Sequence, residues 1–139
     1  MKLNQLLKNV EVVALKGNGH LEIDNISSDS KQLKNNGLFF AIKGYKANGL
    51  NFVDEAIERG AVCVVSEDDF ITYKNVCKVM VKDARKSCAI IANNFYDNPS
   101  QKLHVTGITG TNGKTTILYL TEMMLQYSGK KCGKIGTIC

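Results

Sequence analysis

The sequence predicts an α/β fold in two parts: a small α/β domain over residues 1–98, and over residues 99–139 the start of a second domain, cut short after one βαβ unit. Three observations predict it. Two short continuous apolar runs, Leu38–Ile42 and Ala61–Val65, lie next to glycines and suit strands covered on both faces. Amphipathic helical stretches alternate with such runs, the pattern of a largely parallel sheet. After residues 97–101, the only linker-like stretch, the alternation restarts with a strand, a glycine-rich turn and a helix.

Leu3, Leu6, Leu7 and Val10 recur at the spacing of a short helix. Val12 to Leu15 reads as a strand closed by Gly17-Asn18-Gly19, and His20 to Ile26 alternates as a half-exposed strand would. Leu38 to Ile42 follows as a buried strand. Phe52, Val53, Ala56 and Ile57 then share a helical face over residues 51–59, and Gly60 is a natural residue to end that helix. Ala61 to Val65 and Val76 to Val81 are two further strands. Asp83 is suited to cap a helix whose Ala84, Cys88, Ile91, Ala92 and Phe95 share one face, and Asn98-Pro99-Ser100 breaks it. In the second part, strand 103–108, a turn, helix 115–127 and a strand-like run from Cys132 make the βαβ unit.

Composition removes several classes. The chain has 139 residues, and its 44% apolar content is enough for a packed core. It has no stretch resembling a membrane span and no apolar leader with a cleavage site near its start, which excludes a secretory signal and predicts a cytoplasmic protein. Five cysteines (63, 77, 88, 132, 139) form no CxxC pair, and neither histidine (20, 104) stands at metal-site spacing from one. Reduced, structural thiols are expected, not a thiol enzyme. The 18 basic residues exceed the 13 acidic ones by 5, yet no basic run is longer than Lys130-Lys131. That charge tolerates phosphate-rich ligands without pointing to nucleic acid.

The strongest chemical signal is Gly107-Ile108-Thr109-Gly110-Thr111-Asn112-Gly113-Lys114-Thr115-Thr116. Glycines between a strand and a helix let the backbone turn its N–H groups inward, and the helix start adds partial positive charge. Lys114 suits the β- and γ-phosphates of a nucleotide, and the Thr115 hydroxyl suits Mg²⁺. The pattern G-x-x-x-x-G-K-[ST] would place glycine at 108, where this chain has Ile; glycines 107 and 110 bracket that position instead.

The segment Thr109–Thr116 resembles the ATP loop of the Mur ligases, which build the peptidoglycan stem peptide. In the first part, Asp29-Ser30-Lys31, Gly37-Leu38-Phe39-Phe40-Ala41, Gly44, Asn48-Gly49, Phe52, Ala56-Ile57 and Gly60-Ala61 are similar to the family's N-terminal UDP-binding domain. Gly133-Lys134-Ile135-Gly136-Thr137 is similar to the segment after the loop helix in the member that adds the third amino acid. The resemblance therefore implies a UDP-substrate domain over 1–98 and the start of a central P-loop ATP-binding domain over 99–139. It implies that Ser30, with Ser28, contacts the uridine-diphosphate part of UDP-MurNAc-L-Ala-D-Glu, that Tyr45, Lys46 and Ala47 line the uracil side, and that Gly110, Thr111, Asn112, Gly113, Lys114, Thr115 and Thr116 hold ATP. Lys114 would be catalytic and Thr115 a Mg²⁺ ligand. Two positions depart from the family pattern: Lys31 replaces the usual Arg, and Asn48 the usual Asp before Gly. From the residues alone, Ser28 and Ser30 are equally hydroxyls that bond their own turn, and Tyr45-Lys46 an exposed aromatic beside a solvated lysine.

The activity implied is ATP-dependent amide ligation. The D-Glu carboxylate is activated as an acyl phosphate, and the amine of meso-diaminopimelate or L-lysine attacks it. The partners expected are that UDP substrate and an amino acid, with no nucleic acid, no membrane span and a monomeric state; the 139 residues alone are expected not to turn over. The alternatives are the D-Ala-D-Ala-adding ligase of the same family and a generic P-loop NTPase or kinase.

Overall fold

The computed structural model describes residues 1–44, 47–72 and 74–136, and the chain divides into two compact units, Met1–Lys102 and Leu103–Cys139. The first unit is built on five strands: β1 (Val12–Lys16), β2 (Asn25–Ser27), β3 (Gly37–Ala41), β4 (Ala61–Ser66) and β5 (Cys77–Val81). Their order across the sheet is β1-β5-β4-β3-β2. The pairs β2/β3, β3/β4 and β4/β5 are parallel, and β1 lies antiparallel on β5 at one edge. The sheet is thus largely parallel, as the alternation of elements predicts.

Continuous apolar runs are explained by the two faces they serve. Leu38 and Phe40 of β3 join Cys63 and Val65 of β4 in one core, closed by Leu3 and Leu6 of helix α1 (Leu3–Leu6) and Ile91 of helix α3 (Ala84–Phe95). Phe39, Ala41 and Val64 point the other way, into a second core with Val53 and Ala56 of helix α2 (Val53–Glu58). Side chains alternate faces along a strand, so helices on both sides require apolar residues at every position. Only Cys77, Val79 and Val81 of β5 are buried, while Lys78 and Met80 are half-buried. The edge strand β1 leaves Val13 66% exposed where a register shift between Val12 and Ala14 interrupts its ladder.

Ends of elements follow local chemistry. Asn9, with φ 64°, stops the Leu3–Val10 stripe, so α1 is a single turn. Gly60 follows α2 at φ +106°, and a methyl there would lie 2.7 Å from the Asn35 Cα. Asp83 caps α3 by accepting the Lys86 N–H at 2.9 Å, and Glu67 accepts the Ala84 N–H at 2.9 Å. Left-handed Asp97 and Asn98 end α3 before Pro99. The strand expected over His20–Ile26 is shortened to β2. Its first half instead pairs with the chain start, Leu3 N–H donating to Leu21 O and Ile23 N–H to Met1 O, both at 2.8 Å.

In the second unit, helix α4 (Lys114–Tyr127) starts one residue before its expected position. It ends in a Schellman arrangement at Gly129 (φ +77°): Lys130 N–H donates to Leu125 O at 3.0 Å, and Gly129 N–H to Gln126 O at 2.9 Å. The strands expected at 103–108 and from Cys132 are not formed among the described residues, since neither segment has a ladder partner to take its backbone hydrogen bonds. Lys134 pairs with Glu122 and lies over the Tyr119 ring at 3.6 Å, which folds the segment after α4 back along the helix.

Candidate functional site

The glycine-rich loop enters α4 through Gly110 (φ +153°) and Gly113 (φ +75°), both in backbone conformations that side chains disfavour. Packing does not require these glycines. A methyl at Gly107 or Gly113 would meet nothing within 4 Å, and one at Gly110 only the Asn112 carbonyl at 3.6 Å. Glycines 37, 49 and 60 of the first unit differ, since a methyl on any of them would lie under 3.0 Å from neighbouring atoms. The loop glycines therefore shape a turn with open space in front of it. Lys114 curls back over that turn, its ammonium donating to the carbonyls of Gly110 and, at 3.2 Å, Thr111. Thr111, Asn112, Thr115 and Thr116 are exposed beside it. The arrangement offers an ammonium, free hydroxyls and the first amides of a 14-residue helix at one open turn, the donor set that polyphosphate binding uses. In phosphate loops of this kind a Ser or Thr hydroxyl after the lysine shares Mg²⁺ with an acidic residue and the phosphates, and Thr115 stands at that hydroxyl's position.

In the first unit the parallel strands β2 to β5 run the same way, so the segments leaving their carboxyl ends share one edge of the sheet, where open α/β sheets bind ligands. Ser28 to Lys31 leave β2 and residues 42–49 leave β3 at that edge. Ser28, Asp29, Ser30, Lys31 and Phe52 line a cavity of about 340 Å³. Ser27, not Ser28, makes the local turn: its hydroxyl donates to Asp29 O and accepts the Asp29 N–H, both at 2.9 Å. Ser28 is exposed. Ser30 is buried, and its hydroxyl donates to Glu55 Oε2 of α2 at 2.8 Å. That bond holds the Glu55 carboxyl below its ordinary range. Partial burial opposes the shift, and Arg59 (3.2 Å from Oε1) and Lys31 reinforce it.

After β3, Gly44 N–H donates to Ala47 O at 2.9 Å, Lys43 bridges Asn48, and Asn48 Oδ1 accepts the Leu50 N–H at 3.1 Å. Ala47 is exposed; Tyr45 and Lys46, expected on the uracil side, lie outside the described residues, as does Thr137. Three contributors were not anticipated from the sequence. Glu55 orients Ser30, Phe52 walls the cavity, and Arg85 Nη2 donates to Lys43 O at 3.0 Å, tying α3 to the turn after β3. Phe52 stands among the family-like residues and the Glu55–Arg59 pair, four residues apart on one helix, has a readable spacing, whereas nothing local marks Arg85. A slightly larger cavity, about 370 Å³, lies by Glu11, Lys82, Asp83 and Lys86, but Lys86 is paired there with Glu11 at 2.8 Å and Asp83 is spent on its helix cap.

The family model described as Mur ligase family, catalytic domain, matches residues 22–96, more than half of the chain and all within the first unit. The chain belongs to the Mur ligase family. It is 47% identical over 138 residues to the UDP-N-acetylmuramoyl-L-alanyl-D-glutamate--2,6-diaminopimelate ligase of Caldanaerobacter subterraneus subsp. tengcongensis, and 43% identical over 141 residues to the protein of the same name from Clostridium tetani. Each match covers 99% of this chain but only 28% and 29% of those proteins, so the chain spans under a third of the length of these relatives. Among solved structures, MurF from Acinetobacter baumannii is similar in fold (TM-score 0.72, 23% identity, covering 91% of this chain and 27% of that one). MurF ligase from Thermotoga maritima, in complex with ADP, matches at TM-score 0.57 and 26% identity over 74% of this chain and 23% of its own. Among the described residues, no helix is long and apolar enough to cross a membrane.

Proposed function

We propose that the chain is part of a cytoplasmic, ATP-dependent ligase that adds the third amino acid of the peptidoglycan stem peptide to UDP-MurNAc-L-Ala-D-Glu. The proposed incoming residue is 2,6-diaminopimelate, the amino acid in the names of the relatives. The observation that carries this reading is the open glycine turn with Lys114 over it, in a chain whose relatives at 43–47% identity bear that ligase name. Residues 1–98 are read as the UDP-substrate domain and 99–139 as the start of the ATP-binding domain.

When bound, MgATP supplies the phosphoryl group that activates the D-Glu carboxylate as an acyl phosphate for attack by the amine. The chain's own part in this is positioning and charge neutralisation, which is most of what phosphoryl transfer asks of a protein. Gly110 to Gly113 shape the turn, and the amides that open α4 face an anion. The Lys114 ammonium would hold phosphate oxygens in place of its loop carbonyls, and the Thr115 hydroxyl would be one protein ligand to Mg²⁺, with Thr116 beside it. Ser28 and Ser30, with Tyr45, Lys46 and Ala47, hold the UDP end of the substrate.

Titration calorimetry of the chain with MgATP tests this. Lys114→Ala is expected to weaken binding about 10- to 100-fold, the loss of a charge-assisted hydrogen bond. Unchanged affinity removes Lys114 from the site and the ATP reading with it.

A further inference from the structure

Ser30 is only 5% exposed, yet it lines the cavity beside Ser28 and Lys31. A serine hydroxyl has one proton to donate and two lone pairs to accept with. Here the proton is aimed at Glu55 Oε2, 2.8 Å away. Glu55 is fixed from its other side by Arg59 Nε, which donates to Oε1 at 3.2 Å. The ionised carboxylate is an acceptor only, so Ser30 must be the donor in this pair. What Ser30 Oγ has left to offer a ligand in the cavity it lines is therefore lone pairs. The non-bridging oxygens of a diphosphate are acceptors as well, and lone pairs set against them repel.

Resting on the substrate reading above, we infer that Glu55 is a positioning residue that makes Ser30 an acceptor for a hydrogen-bond donor of the uridine, either its imide N–H or a ribose hydroxyl. The diphosphate then falls to the groups of the same cavity that can donate, the exposed Ser28 hydroxyl and the Lys31 ammonium. This division also keeps the Glu55 carboxylate behind Ser30 and away from a second anion. Ser30 selects the nucleoside, and Ser28 and Lys31 take its charge.

Calorimetry of the unaltered chain with UDP, N3-methyl-UDP, 2′-deoxy-UDP and 3′-deoxy-UDP separates the possible donors without any variant having to fold. One analogue is expected to bind about fivefold more weakly than UDP. Ser30→Ala should weaken UDP by a similar factor and leave that analogue unchanged. Glu55→Ala, which removes the acceptor of the Ser30 proton, should lose the discrimination while still binding UDP. The inference is overturned if all three analogues bind as tightly as UDP, or if Ser30→Ala weakens UDP but leaves uridine unaffected, the mark of a diphosphate contact. Failure of the unaltered chain to bind UDP at all would instead remove the substrate reading, and this inference with it.

Discussion

Replacing Gly49 by alanine would drive a methyl group against backbone. The added carbon would lie 2.5 Å from Ile42 N, 2.6 Å from the Ala41 carbonyl carbon and 2.7 Å from Ile42 O. Ordinary contact between such atoms begins at roughly 3.5 Å, so about 1 Å of movement is needed. Little of it is available. Ala41 is held in the ladder by pairing with Ser66, and Gly49 N–H itself donates to Ile42 O at 3.0 Å. Overpacking of this kind costs about 1–3 kcal/mol. In a unit of this size each kcal/mol lowers the melting temperature by about 4–8 °C, so Gly49→Ala should melt roughly 5–20 °C below the parent by far-ultraviolet circular dichroism. Gly107→Ala is the control: a methyl there meets nothing within 4 Å, and its melting should match the parent's. A Gly49→Ala protein melting within 2 °C of the parent would refute the close approach and with it the anchoring of the turn after β3.

Acid should weaken the link between α2 and the turn after β2. The Ser30 hydroxyl, with Arg59 and Lys31, holds the Glu55 carboxyl below its ordinary value of 4.5, so the stabilisation is present above that value and is lost as pH falls through the lowered folded one. Urea unfolding between pH 7 and pH 3 should therefore show a steeper loss for the parent than for Glu55→Gln; parallel curves would exclude the coupling. The hydrogen bond its thiol donates to Cys77 and its burial both push Cys63 well up, so iodoacetamide should modify half-buried Cys132 in the folded chain and leave Cys63 intact until denaturant is added. Peptide mass spectrometry showing Cys63 alkylated as fast as Cys132 would contradict the packing of β4 on β5.

Much of the first unit was legible because its signals are local or periodic. Leu38–Ile42 and Ala61–Val65 could be read as strands since burial on both faces leaves no position for a polar residue, and Asp83 and Gly60 mark helix ends by chemistry that acts within a few residues. What was not legible depends on partners far away in sequence. The alternation from His20 to Ile26 promised a longer strand, but the ladder partner that decides its length is β3, and residues 21–23 pair with the chain start instead. Residues 103–108 have strand-like composition without a partner, and composition alone cannot supply one. In the candidate site, the glycine turn announces itself by residue type. The Ser30–Glu55 bond spans 25 positions and the Arg85–Lys43 bond 42, and no spacing rule brings such pairs together.

The two sets of glycines bear on how the loop acts. Crowded glycines such as Gly37 and Gly60 are explained by the fold that surrounds them, whereas Gly110 and Gly113 satisfy φ values in a turn where an added methyl would not be crowded. That turn occupies its lysine with its own carbonyls, and Lys114 is exposed while doing so. Bonds from an ammonium to neutral carbonyls carry charge on the donor alone, and at an exposed position water replaces them readily. Bonds from the same ammonium to anionic phosphate oxygens add the attraction of opposite charges, so on the proposed reading the exchange favours the ligand while the carbonyls keep Lys114 near its working position beforehand. On the proposed ATP reading the loop is thereby pre-ordered for an anion, which lowers the conformational cost of binding.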